Sequence, residues 1–152
     1  MTEFEKTLSS PIGILTLKSS GGAVNALLFG DHCQGLPSCP VLEQAATELE
    51  EYFSGTRRVF SIPLHANGTE FQRTVWTALL SIPHGETVSY ADLAAKIGKP
   101  AACRAVGNAN NRNPLPILIP CHRVIGKNGS LTGYAGGLAV KEFLLRLEQK
   151  NR

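Results

Sequence analysis

Cys121 and His122 stand side by side in the run Pro120-Cys121-His122-Arg123-Val124, and a thiol beside an imidazole is the most reactive pairing this chain offers. A cysteine of ordinary pKa, about 8.5, is only a few per cent thiolate at neutral pH, so a neighbouring base or cation raises its nucleophilic fraction many-fold. His122 and Arg123 are both able to favour the thiolate. Adjacent side chains need not face one another, however, and most free cysteines are simply small buried hydrophobes, so the dipeptide alone leaves both readings open. The apolar residues Ile117-Leu118-Ile119, closed by Pro120, predict a short buried strand with Cys121 in the turn that ends it.

The rest of the chain must position that turn. Its 152 residues are enough for one domain or two small lobes, and 43% apolar with 18% charged residues is an ordinary globular composition that argues against disorder. No apolar run approaches the ~20 residues of a membrane helix, and the start lacks a basic flank followed by an apolar core. A cytoplasmic protein with four reduced cysteines is expected. Charge is uneven: residues 1–68 carry four Lys/Arg against seven Asp/Glu, whereas residues 69–152 carry eleven against five. The half holding Cys121 is the basic one, which suits a polyanionic partner.

Residues 1–68 read as a β-hairpin lobe with one helix. Residues 14–17 and 24–29 are strand-like, and Gly21-Gly22 supplies the turn between them. Residues 30–40 read as loop. Residues 41–53 are helical, with Leu42, Ala45, Ala46, Leu49 and Phe53 on one stripe, Glu43, Glu48, Glu50 and Glu51 opposite, and Gly55 as the stop. His32, Cys33, Cys39 and His65 match no compact ligand spacing, and no metal or cofactor is expected.

Residues 69–152 read as a helical lobe. Thr69 with Gln72, and Ser89 with Asp92, are capping boxes that start two helices. Phe71, Val75, Trp76 and Leu79 face inward on the first, Leu93, Ala94 and Ile97 on the second, and Gly98 fits the position after its end. Pro100 suits the first turn of a third helix running through Asn110, and the tight connection makes the pair a helix-turn-helix. On that third helix Ala102, Val106 and Ala109 form an inward stripe, while Arg104, Asn108 and Asn111 share a slender polar face. Such a face fits a nucleic acid or plain solvent equally well. Asn128-Gly129 predicts a hairpin across residues 124–134. A closing helix over 138–149 puts Val140, Phe143, Leu144 and Leu147 inward, with Glu148 near its end.

The string Pro120-Cys121-His122-Arg123-Val124 resembles the active-site signature of the O6-alkylguanine-DNA alkyltransferases. Ala102-Cys103-Arg104-Ala105-Val106-Gly107, Asn113-Pro114-Leu115-Pro116 and Gly133-Tyr134-Ala135-Gly136-Gly137 resemble further family motifs in family order, and the likeness is specific from Gly68 to Gln149. It implies an α+β fold: a small N-terminal β-hairpin and helix lobe of structural role over 1–68, then a winged helix-turn-helix alkyltransferase domain over 69–152. It implies a monomer that binds double-stranded DNA through the minor groove, flips an alkylated guanine out of the stack, and transfers the alkyl group from O6 to Cys121.

The resemblance also assigns roles. Glu148 completes a relay through His122 to Cys121, Tyr90 donates the proton to guanine N3, and Arg104 fills the space left by the flipped nucleotide. Asn113 ties the recognition helix to the cysteine turn. The backbone of Cys121 and Val124 reads the exocyclic amine, and the amide of Ala135, beside Tyr134, faces O6. Many relatives have serine at Ala135, and a backbone contact should survive the change. An sp3 carbon on a poor leaving group demands a soft nucleophile and a proton donor, and the thioether formed has no polarised carbonyl for water to attack, so each molecule should act once. Extruding the nucleotide costs a few kcal/mol. The competing readings are a non-catalytic binder of alkylated DNA on the same scaffold, a winged-helix regulator, and a cysteine hydrolase.

Overall fold

The computed structural model describes residues 2–152, which divide into two compact units, 2–67 and 68–152. In the first, three strands form an antiparallel meander in the order β1 (Glu3–Ser10), β2 (Gly13–Ser20), β3 (Ala23–Phe29). Gly21 and Gly22, with φ of 69° and 86°, close the β2–β3 hairpin in the left-handed backbone that such a two-residue loop requires. The helix α1 (Pro40–Ser54) lies on this sheet and buries Leu42, Ala45, Ala46, Leu49 and Tyr52 against Leu8, Leu15, Leu17 and Leu27. Gly55 ends it at φ 86°.

Three details here depart from the sequence reading. Strand β1 was not expected, because its buried positions are Glu5 and Leu8 and a buried carboxylate breaks the apolar alternation. Tyr52, rather than Phe53, completes the inward stripe of α1. Glu48, assigned to the outer face, is buried and accepts hydrogen bonds from the Ser61 amide (2.8 Å) and Gln44 Nε2 (3.0 Å).

The second unit begins with α2 (Glu70–Leu79), then β4 (Val88–Ser89), α3 (Tyr90–Lys96), α4 (Cys103–Asn111), a single 3-10 turn (Cys121–Arg123), β5 (Val124–Ile125) and α5 (Leu138–Lys150). Both capping boxes are formed, Thr69 with Gln72 and Ser89 with Asp92. Helix α4 packs on α2 and α3, and Trp76 Nε1 donates to the Ala109 carbonyl at 2.8 Å, pinning the end of α4 to α2. Helix α5 packs against the 3-10 turn.

Four expectations are corrected. Pro100 lies in the turn before α4, where Ala102 N donates to Lys99 O at 2.9 Å, so the helix starts at Cys103. Residues 117–119 are buried but form no strand: Ile117 sits at φ 73°, a costly region for a β-branched residue, and the amide of Ile119 folds back to Leu115 O at 2.8 Å. The wing is a tight turn, with Gly126 N donating to Ser130 O at 2.8 Å, but its flanks do not pair; β5 instead runs parallel to β4. On α5, Phe143 is exposed and the buried face is Lys141, Leu144 and Glu148.

Candidate active site

The 3-10 turn places three consecutive buried residues among groups from three distant parts of the sequence. Cys121 is 4% exposed, His122 is fully buried and Arg123 is 6% exposed. His122 Nε2 meets Glu148 Oε2 at 2.6 Å. Arg123 grips the same carboxylate with both ends of its fork, Nε to Oε1 at 2.8 Å and Nη2 to Oε2 at 3.0 Å, while Nη1 donates to the Ile82 carbonyl at 2.6 Å. The Gly85 amide adds a further bond to Glu148 Oε1 at 3.1 Å. The carboxylate is thus fixed by a guanidinium, an imidazole and a backbone donor. Burial alone would raise its pKa, but the pairing with His122 and Arg123 outweighs that and holds it well below the usual carboxylate range.

His122 is depressed, first by burial and then by the charges of Arg123 and Lys141, against the pull of Glu148. A neutral imidazole donating Nε2–H to Glu148 leaves the lone pair on Nδ1, which is buried with no hydrogen-bond partner among the described residues. That tautomer is the one a base needs.

The sulfur itself rests protonated. Burial pushes the Cys121 thiol up to about 11, opposed by a hydrogen bond from Asn113 and the positive charge of Lys141. Arg123, expected from its position to favour the thiolate, is committed to Glu148 instead. The cation that does act on Cys121 is Lys141, fully buried on α5, whose Nζ donates to Val124 O at 2.6 Å and Thr132 O at 2.7 Å.

Asn113 locks the loop ahead of the cysteine: Nδ2 donates to Ile119 O at 2.8 Å, and Oδ1 accepts from Leu115 N at 2.9 Å. The side-chain tie from α4 itself is Asn110, whose Nδ2 donates to the Cys121 carbonyl at 3.3 Å.

A second group of residues lines an open cavity of about 490 Å³ walled by Tyr90, Cys103, Arg104, Gly107, Asn108, Asn111, Thr132 and Gly133. Arg104, Asn108 and Asn111 are exposed on one face of α4, as their spacing predicts, and Tyr90 opens α3 with its hydroxyl 3.2 Å from Thr132 Oγ1. Gly133 suits its φ of 40°, which side-chain-bearing residues rarely adopt. Cys121 is not among the lining residues. Next along the loop, the Tyr134 hydroxyl is buried and held well above its ordinary pKa, by burial first and then by Cys121 and Glu148. Ala135 is exposed in that loop, and Val124 is buried with its carbonyl engaged by Lys141.

Residues 70–150 match the model of the 6-O-methylguanine DNA methyltransferase DNA-binding domain, and residues 4–66 match that of the ribonuclease-like domain of the same proteins. The chain belongs to the 6-O-methylguanine DNA methyltransferase family. A methylated-DNA–protein-cysteine methyltransferase of Methanosarcina barkeri is 60% identical over 108 residues, 71% of this chain and 68% of that protein. One from Mycobacterium leprae is 46% identical over 150 residues, 95% of this chain and 91% of that one. The crystal structure of the Mycobacterium tuberculosis protein in complex with DNA superposes with a TM-score of 0.90 at 44% identity, covering 97% of this chain and 94% of its own. The α+β arrangement of a ribonuclease-like domain followed by a DNA-binding domain is therefore that of the methyltransferase family. Among the described residues no helix is long and apolar enough to cross a membrane, and no cluster of three His, Cys, Asp or Glu is gathered to hold a metal ion.

Proposed function

We propose that this methyltransferase removes a methyl or other alkyl group from O6 of guanine in double-stranded DNA by transferring it irreversibly to Cys121. The observation that carries the reading is the buried pair His122–Glu148, 2.6 Å apart across 26 residues of sequence, its histidine next in the chain to a buried cysteine.

His122, neutral and oriented by Glu148, takes the Cys121 proton from its Nδ1 side, directly or through water. Glu148 is ionised and stabilises the imidazolium that forms. The thiolate attacks the sp3 carbon, the C–O6 bond breaks, and Tyr90 delivers the proton that the departing purine needs at N3. A thiol resting at about 11 is held inert until this relay draws its proton. Arg104, exposed at the cavity wall, enters the space left by the extruded nucleotide. The backbone of Cys121 and Val124 and the amide of Ala135, beside Tyr134, face the purine, and Asn113 holds the loop in place. Residues 1–68 serve as a structural lobe and residues 69–152 carry the chemistry. The protein acts as a monomer in the reducing cytoplasm, where its thiol persists.

Intact mass after mixing with a duplex containing O6-methylguanine tests the reading. A gain of one methyl, lost in Cys121→Ala, supports it. Tight binding with no mass change would leave a damage binder, and a thiol that turned over repeatedly would indicate a hydrolase.

A further inference from the structure

Asn110 is 1% exposed, lies on the side of α4 away from the cavity, and bonds to the carbonyl of Cys121 through Nδ2. The amide orientation follows from its partner, because the reverse assignment would set two acceptors against each other at 3.3 Å. That carbonyl already accepts the Val124 amide inside the 3-10 turn, so the bond is not needed to satisfy it. Asn110 Oδ1, meanwhile, is buried with no partner among the described residues. Burying an amide with half its capacity unmet is costly, and an apolar residue of similar shape would avoid the cost. Packing and polar satisfaction therefore do not account for an asparagine here.

Its placement does. The outward face of α4 presents Arg104, Asn108 and Asn111 to the cavity, while the inward Asn110 is the helix's side-chain bond to the nucleophile's own backbone. We infer that Asn110 is a positioning residue that fixes the sulfur-bearing turn to the recognition helix, so that wherever α4 seats on DNA, Cys121 is carried with it. The inference rests on the proposed alkyl transfer. A nucleotide in a duplex is located by α4, and a loosened turn would misplace the sulfur relative to it. A free alkylated base is not located by α4 and should be less sensitive.

The test compares Asn110→Leu with the intact wild-type protein in single-turnover transfer from an O6-methylguanine duplex and from free O6-benzylguanine. Asn110→Leu should slow the duplex reaction by about tenfold and the free-base reaction by less than about twofold. Its thermal midpoint should equal or exceed the wild type's, and duplex affinity should stay unchanged. Asn110→Ala, which leaves a void rather than an apolar branch, should give the same duplex-to-free-base ratio. Wild-type rates with both substrates, equal losses with both, or a ratio seen in only one variant would overturn the positioning role. A wild-type protein that failed to gain alkyl mass would instead bring down the transfer reading beneath it.

Discussion

Both units bury carboxylates, and they use them differently. In the first, Glu5 accepts from the amides of Gln34 and Leu36 and Glu48 from Ser61 and Gln44, so each carboxylate anchors a neighbouring segment through neutral hydrogen-bond donors, with Lys18 and Arg57 standing off at 3.9 Å and 3.8 Å. In the second, Glu148 is held by His122, Arg123 and Gly85, and the group it orients sits next to a cysteine. The same rule, that a buried charge must be hydrogen-bonded, builds architecture in one place and the proposed proton relay in the other. A carboxylate whose donors are backbone or amide groups is a staple. One hydrogen-bonded to an imidazole is a candidate for chemistry.

The contrast breaks most sharply at Glu148. Glu148→Gln removes the charge that orients His122 and leaves Arg123 buried without its counter-ion, so transfer from the duplex should slow by roughly 10²–10⁴-fold in single-turnover assays. A loss below tenfold would show the pair to be another staple. Arg104→Ala should follow, slowing repair in duplex DNA about tenfold while sparing free O6-benzylguanine, since only extrusion is impaired. Equal losses with both substrates would count against that role.

Glu48→Ala sharpens the other side. Removing a buried acceptor strands the Ser61 amide and should lower stability by roughly 1–3 kcal/mol in denaturant unfolding, with the transfer rate of folded molecules unchanged within about twofold. A large rate effect would erase the distinction drawn here.

The smallest effect is a pH dependence. With Cys121 raised from about 9 to about 11, the native state keeps a proton that the unfolded chain releases, so this contribution to stability is complete below pH 9 and is lost as pH rises towards 11. Cys121→Ala should lose less stability across that window, by on the order of 2 kcal/mol. Parallel alkaline limbs in the two proteins would contradict the burial of an uncharged thiol.

What the sequence disclosed follows from where its physics is local. Thr69 with Gln72 and Ser89 with Asp92 announce helix starts within four residues, and both form as read. The outward face of α4 is equally local, because Arg104, Asn108 and Asn111 need only helical spacing to align. Elements whose stability comes from distant partners were illegible. Strand β1 hides behind Glu5, whose burial makes sense only once the amides of residues 34 and 36 arrive. Ile117 takes a left-handed backbone that its β-branched side chain disfavours, so a run of strand-forming residues misled. At the site, Cys121 and His122 stood out as neighbours, but the pairing of His122 with Glu148 was approachable only through family resemblance. Lys141 and Asn110 were passed over because a polar residue on a helix is ordinarily solvated, and nothing nearby in the chain says that these two are sealed in.

Four free cysteines offer the decisive comparison, because Cys103 is exposed and lines the cavity while Cys121 is buried. After reaction with a duplex carrying O6-methylguanine, proteolysis and peptide mass mapping should find S-methylcysteine at Cys121 alone, one group per molecule. A methyl group on Cys103, Cys33 or Cys39 with Cys121 unmodified would contradict the account that a relay of His122 and Glu148, rather than exposure, selects the sulfur.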